Sequence, residues 1–328
     1  MRKRLAISFV AAGACLVVGW GDSIAIAASD DAKHAPSSDI TAPLTKSTAS
    51  DAPSASSKKS KTGKSPLKWR ELEPGLAFGT FDAHIPSPVG DTKIAVLRID
   101  PKRFRFRLLS ASTMKHPRAL PIDKWMREHK LVAAINAGMF EPNGDTVGYS
   151  RVGNNVLKPH RKRNYGSYFL AGLSNGKGKA KLPAATILDA ECDKHTRKTE
   201  KRYRIVMQSM RMISCKGENL WKKSQRIWST AALAVDSEGN VLFIHSRSPW
   251  DVHDFIEVLI KMPLGITRAM YLEGGPEASL AIATESVNKM FLGSYETGLN
   301  ENDSNTRAWA LPNVIGIERI KNEKSQGQ

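Results

Sequence analysis

The chain changes character at Trp69, and that break bounds what it can fold into. Between Ser29 and Lys68 there is no aromatic residue, and Ser, Ala, Thr, Lys and Pro supply most of the segment. Such a stretch cannot bury enough surface to offset the entropy of ordering its backbone, so residues 29–68 are expected to be a disordered linker. Its Lys58, Lys59, Lys61 and Lys64 would let it touch an anionic cell envelope, although a solvated spacer has the same composition. From Trp69 onward short apolar runs recur, and residues 69–322 are long enough for one large domain with a full core. A short polar tail, 323–328, closes the chain.

The first residues read as an export signal. Arg2, Lys3 and Arg4 precede an uncharged, mostly apolar run from Leu5 to Trp20, and "AIAAS" offers small-residue cleavage sites near Ala28. Asp22 interrupts that run too early for a membrane span, which needs about 20 apolar residues. Residues 1–28 are therefore expected to be a signal peptide and the protein to be periplasmic or secreted; lipid anchoring at Cys15 is the alternative. Cys192 and Cys215 are the two cysteines beyond the signal, an even pair expected to form a disulfide in an oxidising compartment. "AECDKH" sets Glu191, Cys192 and His195 close together, but no second Cys/His cluster completes a metal set, so no metal and no cofactor is expected. The formal charge of +17 suits work among phosphate-bearing polymers. No zinc-finger spacing or aromatic-basic RNA motif is present, which argues against nucleic acid.

The apolar runs are mainly strands. "KIAVLRID" and "FRFRLLSA", separated by "PKR", predict a hairpin. "LVAAIN", "GSYFLAG", "RIVMQSM", "TAALAVD", "VLFIHSR", "GITRAMYL" and "NVIGIER" predict further strands, with "DSEGN" a hairpin turn. "PIDKWMREHK" predicts a short helix, and "SPWDVHDFIEVLIKMP" a longer one capped by Ser248, with Val252, Phe255, Ile256 and Leu259 on one stripe. The pattern is a mixed α/β (α+β) single domain, dominated by sheet, with a few crossover helices.

Familiar catalytic motifs are absent or misplaced. "GLSNG" fits G-x-S-x-G, but no helix follows the serine as a nucleophile elbow requires. "GKGK" lacks the spacing of a phosphate loop. What remains is a set of polar residues at strand ends. Asn136 and Gly138 follow "LVAAI"; Gln208 and Arg211 end another strand; His245, Arg247 and Ser248 precede a helix whose N-terminus favours an anion. "YLEGGPEASLAI" places Glu273 before Gly274 and Gly275, which would let a ligand approach the backbone closely. Singly, each has an ordinary structural explanation: a turn asparagine, a tight Gly-Gly-Pro loop, a hydrogen-bonded histidine, a solvated arginine.

Together and in order, "NAGMFEPNGDTVGYSRVGNNVLKP", "YGSYFL", "MQSMRMI", "AVDSEGNVLFIHSRSPWDVHDFIEVL" and "AMYLEGGPEASLAI" resemble the phosphodiester glycosidase family, and its bacterial exported branch in particular. The resemblance implies a hydrolase that cleaves the sugar from a glycosyl-1-phosphodiester. It implies that Glu273 occupies the acidic position, Gly274 and Gly275 the close-approach positions, Ser279 the following hydroxyl and Asn136 the asparagine of the second signature. Asp236 and His245 fall in the family's central hairpin and are the other catalytic candidates. Gly138, Arg211, Arg247 and Ser248 are substrate-binding candidates. Glu273 stands where the family usually has aspartate. Trp228 or Ser229 stands where an arginine is usual, with Arg226 slightly upstream, and "QSMR" replaces a small Gly-Pro step. If the missing arginine holds phosphate, Arg211 or Arg226 must replace it. The alternative is a non-catalytic exported binder of anionic cell-wall or envelope glycopolymers, which the basic balance and these departures also fit.

Overall fold

The computed structural model describes residues 68–173, 182–193 and 197–320. The expected signal peptide, Cys15, the linker up to residue 67, residues 174–176 of "GLSNG", His195 and the tail lie outside the described residues. Sheet dominates, in three main sheets whose strands all pair antiparallel, with a small two-stranded ribbon. A seven-stranded sheet has at its centre Lys93–Ile99, Val241–Trp250, Trp228–Asp236 and Ile266–Gly274, in that spatial order. A five-stranded sheet sets Ser279–Ala283, Ala133–Asn136, Asn313–Arg319 and Phe104–Ser110 side by side, with Asn288–Leu292 at its edge. The other five-stranded sheet is built around Ser167–Leu173 and Tyr203–Ser209.

The three sheets turn apolar faces to one shared core, where Leu97, Phe243 and Leu272 meet Phe106, Ile135 and Ile315 from one side and Phe169 and Met207 from the other. The outer face of the seven-stranded sheet is covered by helix Val252–Lys261, whose Phe255, Ile256 and Leu259 pack on Ala232, Ala234 and Ile244. Helix Ile122–His129 covers a five-stranded sheet in the same way through Trp125. Strands such as "AALAV" therefore read as unbroken apolar runs: they are buried on both faces, so alternation has no solvent side to mark.

Two expectations are corrected. "KIAVLRID" and "FRFRLLSA" do not pair with each other: Lys93–Ile99 lies between Leu76–Asp82 and Val241–Trp250, whereas Phe104–Ser110 joins Asn313–Arg319 in another sheet. The turn between them, closed by Arg103 N donating to Asp100 O, carries the chain from one sheet to the next. The longer helix begins at Val252, not after Ser248, because the strand runs on through Trp250 and Asp251 is the cap, its Oδ1 accepting from His253 N at 2.8 Å. That helix is a crossover element: it carries the chain over Trp228–Asp236, from one neighbouring strand to the other. "DSEGN" forms the expected hairpin turn, and Cys192 and Cys215 are joined in a disulfide.

Candidate active site

The "LEGGPEAS" segment lies where the chain leaves the seven-stranded sheet for a five-stranded one. Just before the exit the ladder is irregular: Ala231 faces Glu273 and the next residue, Ala232, faces Tyr271, leaving Leu272 without a partner. This bulge sets two residues against one and redirects the side chain that follows it. Leu272 stays in the core while Glu273, half-buried, projects at the strand end. Gly274 is extended, Gly275 takes φ +61°, and a single 3-10 turn, Gly275–Glu277, delivers the chain to Ser279–Ala283.

Asn136 holds this turn in place. Its Nδ2 donates to Glu277 O (2.8 Å) and its Oδ1 accepts from Ser279 N (2.7 Å), so one buried amide satisfies backbone on both sides of Ala278. His245, also buried, supports the same turn from the seven-stranded sheet, Nε2 donating to Ala278 O at 3.1 Å. Burial lowers its pKa to about 4, so the ring is neutral at physiological pH. Ser279 Oγ donates to Glu277 O (3.1 Å).

The two glycines make room for this chain's own side chains. A methyl group on Gly274 would overlap the Trp228 indole and the Tyr271 hydroxyl; on Gly275 it would overlap the Glu296 carboxylate. Glu296 arrives on a separate segment that is laced to the start of the Trp228–Asp236 strand: Ser229 N donates to Tyr295 O, Thr297 N to Ile227 O, and Ile227 N to Thr297 Oγ1. Three glutamates thus converge, Glu273 from a strand, Glu277 from the turn and Glu296 from that segment.

Their electrostatics follow from crowding and desolvation. Burial, then the charges of Glu277 and Glu296, hold the Glu273 carboxyl well above the usual range, against one stabilising bond from Gly274 N (3.0 Å). Burial and then Glu296 push Glu277 up to about 7. Glu296 is raised by burial, while Arg226 pulls it back. Tyr165 is pushed up to about 12 by burial and by Glu273, and Tyr271 is raised well above the ordinary phenol value by burial and then by Glu273, so both hydroxyls keep their protons. Arg226 donates Nη2 to Thr297 O (3.1 Å) and has no ion-pair partner within 4 Å among the described residues.

The remaining sequence candidates lie elsewhere or are already engaged. Asp236 is five residues along its strand from Ala231, roughly 17 Å at the usual rise per residue. There it closes the hairpin turn, accepting from Glu238 N, Asn240 N and Arg98 Nε. Arg211 pairs with Asp189 (3.0 Å) and Glu191, beside the disulfide. All of Arg247's nitrogens face Leu292 O, Asp303 and Asn305 O. Ser248 is buried, its Oγ accepting from Thr92 N (3.0 Å). The helix N-terminus expected to take an anion is satisfied by Asp251. Gly138 turns the loop after Asn136 at φ +84° with open space around it. Sequence reading missed Glu277, Glu296, Tyr165 and Tyr271. Glu277 was visible as a second carboxylate four residues after the first; nothing local marks Glu296.

The sequence model of one family, described as "Phosphodiester glycosidase", matches residues 129–318. Among solved structures, a hypothetical protein from Synechocystis matches with a TM-score of 0.51 at 16% identity, over 77% of this chain and 64% of its own. This chain therefore spans less than two-thirds of that protein, and the likeness is one of fold. The zebrafish N-acetylglucosamine-1-phosphodiester alpha-N-acetylglucosaminidase catalytic domain, auto-inhibited by its pro-peptide, matches with a TM-score of 0.49 at 13% identity, over 76% of this chain and 86% of the other. Comparison with curated proteins finds no match.

Proposed function

The chain belongs to the phosphodiester glycosidase family, and from that premise we propose that it is an exported hydrolase cleaving the sugar C1–O bond of a glycosyl-1-phosphodiester. The observation that carries this reading is the convergence of Glu273, Glu277 and Glu296 at one strand end, all three carboxyls raised by burial and Glu296 drawn back by Arg226. Carboxyls whose environments separate their proton affinities divide acid and base roles between them. Glu277, titrating near neutrality, takes the proton of the attacking water; Glu273, which holds its proton, donates a hydrogen bond to a phosphate or bridging oxygen. The water oxygen bonds to C1, the C1–O bond breaks, and its electron pair stays on the departing phosphate monoester. That group leaves readily as an anion, so little acid assistance is needed. Arg226 is the cation placed to hold it; Arg211 and Arg247, the sequence candidates for that role, are spent on other partners. Export rests on the N-terminal pattern, supported by the Cys192–Cys215 disulfide. No helix among the described residues is long and apolar enough to cross a membrane.

The test is hydrolysis of a panel of sugar-1-phosphodiesters by the purified protein, with p-nitrophenyl glycosides as controls. Sugar release from the diesters, falling about 10²- to 10⁴-fold in Glu277→Gln, is the expected result. A folded protein that binds anionic glycopolymers and turns over nothing would be a binding module instead.

A further inference from the structure

Glu296 is held on a strap, Gly293–Asn305, that leaves a strand edge and returns beside its own starting point. One side chain secures both of the strap's ends. Arg247 Nη1 donates to Leu292 O (3.0 Å) at the start; Nη2 donates to Asp303 O (2.9 Å) and Asn305 O (3.0 Å) at the finish, and Nε pairs with Asp303 Oδ1 (2.7 Å). A second tie backs it: Ser229 Oγ donates to Arg247 O (2.5 Å) and accepts from Ser294 N (2.9 Å). Inside the strap, Ser294 Oγ donates to Asn302 O and accepts from Asn305 N, and Asn300 Nδ2 donates to Ser294 O. No apolar core fills this loop, and Leu299 at its tip is exposed. Its shape is therefore set by polar ties: Arg247 gathers the two ends, while Ser229 and Ile227 hold Tyr295 and Thr297 on either side of Glu296.

We propose that Arg247 is a positioning residue that acts through this strap, seating Glu296 against Gly275 and completing the carboxyl trio. The side chain is spent on carbonyls and Asp303, so it acts on the chemistry by fixing where the third carboxylate sits. Glu277 is faced by Glu296 from the strap; Glu296 is faced by Arg226; Glu273 is faced by both glutamates, and Tyr271 by all three. His245, the titratable group on the adjoining strand, is neutral. Releasing the strap removes a negative neighbour from Glu277 and admits water, and both changes lower its proton affinity.

This assignment rests on the trio being the reactive site, but its readout needs no turnover. The protein is labelled with carbon-13 at glutamate carboxyls, Glu277 is assigned by loss of its signal in Glu277→Gln, and its titration is followed by NMR. Glu296→Gln is expected to lower the Glu277 midpoint. Arg247→Met is expected to lower it in the same direction, and the double variant no further than Glu296→Gln alone. A folded Arg247→Met whose Glu277 titrates as in the parent, or a double variant whose shift is additive, overturns the proposal. So does a Glu296→Gln variant that leaves the midpoint unmoved. Should Arg247→Met fail to fold, Asp303→Asn, which removes the charged partner of Nε and keeps the backbone ties, is read by the same criteria. Absence of diester hydrolysis in the parent would sink the functional reading alone and leave this titration intact.

Discussion

At Gly275 two demands meet: a left-handed φ and the absence of a Cβ where the Glu296 carboxylate lies. Gly275→Ala should cost about 1–3 kcal/mol in denaturant unfolding and displace Glu296, so that activity falls further than stability does. Asn136 poses a different problem. It is the asparagine of the sequence signature, yet both ends of its amide are occupied by backbone, so its role at the site is to hold Glu277 and Ser279. Asn136→Ala removes the amide partner of the buried Ser279 N–H and leaves Glu277 O with the Ser279 hydroxyl alone, and should destabilise by about 1–3 kcal/mol. Urea unfolding measures this directly; an unchanged midpoint would show that water replaces the amide.

For the elements, the cap of helix Val252–Lys261 matters more than the helix itself. Asp251 Oδ1 caps it, and Oδ2 accepts from Ser224 N (2.6 Å) and Ser224 Oγ (2.8 Å). Ser224 Oγ in turn accepts from Arg226 N (3.2 Å). One carboxylate therefore ends the strand, starts the helix and anchors the loop that bears Arg226. Asp251→Ala should lose about 1 kcal/mol as a cap and, because Arg226 loosens, raise KM for a diester more than it lowers kcat. A variant with lowered Tm and unchanged KM would separate the helix from the site. The sequence showed the helix by its apolar stripe, but Ser-Pro at 248–249 was a false start signal: both residues sit in a strand whose partner, Trp228–Asp236, determines how far it extends.

Over the whole molecule, the site leaves a signature in the pH dependence of stability. Glu277, Glu273 and Glu296 bind protons more tightly folded than unfolded, so stability falls as pH rises from the ordinary carboxyl value of 4.5 through about 7 and beyond. His245 acts oppositely. Its pKa drops from 6.5 to about 4, so the unfolded chain binds more protons in that window and stability is lost on acidification. His129, lowered by burial, adds in the same sense. Between about pH 8 and about pH 6 the three raised carboxyls outweigh the two histidines, even though an unfolded histidine with the ordinary value of 6.5 is already largely protonated at the lower end. Tm should therefore be higher at about pH 6 than at about pH 8, and Glu277→Gln should shrink the difference. A Tm that rises steadily to pH 8 would show that the carboxyls are better solvated than the fold implies. The Cys192–Cys215 link, spanning 23 residues, should contribute about 3 kcal/mol by loop-closure entropy; reduction followed by thermal unfolding reads that loss.

What the sequence determined by itself was whatever rests on local composition and periodicity: most strands, both longer helices, the cysteine pair and the motif around Glu273. These are short-range properties, written within a few residues of where they act. Tertiary structure decided which strands pair, so that the expected hairpin at Asp100 became a passage between sheets. It also decided which polar residues meet. Asp236, directly after the run "ALAV", is carried to the far end of the sheet, while Glu296, without any local signal, is brought over Gly275. Convergence of this kind depends on register, a bulge and a strap tied by Arg247, each of which joins residues far apart in the chain.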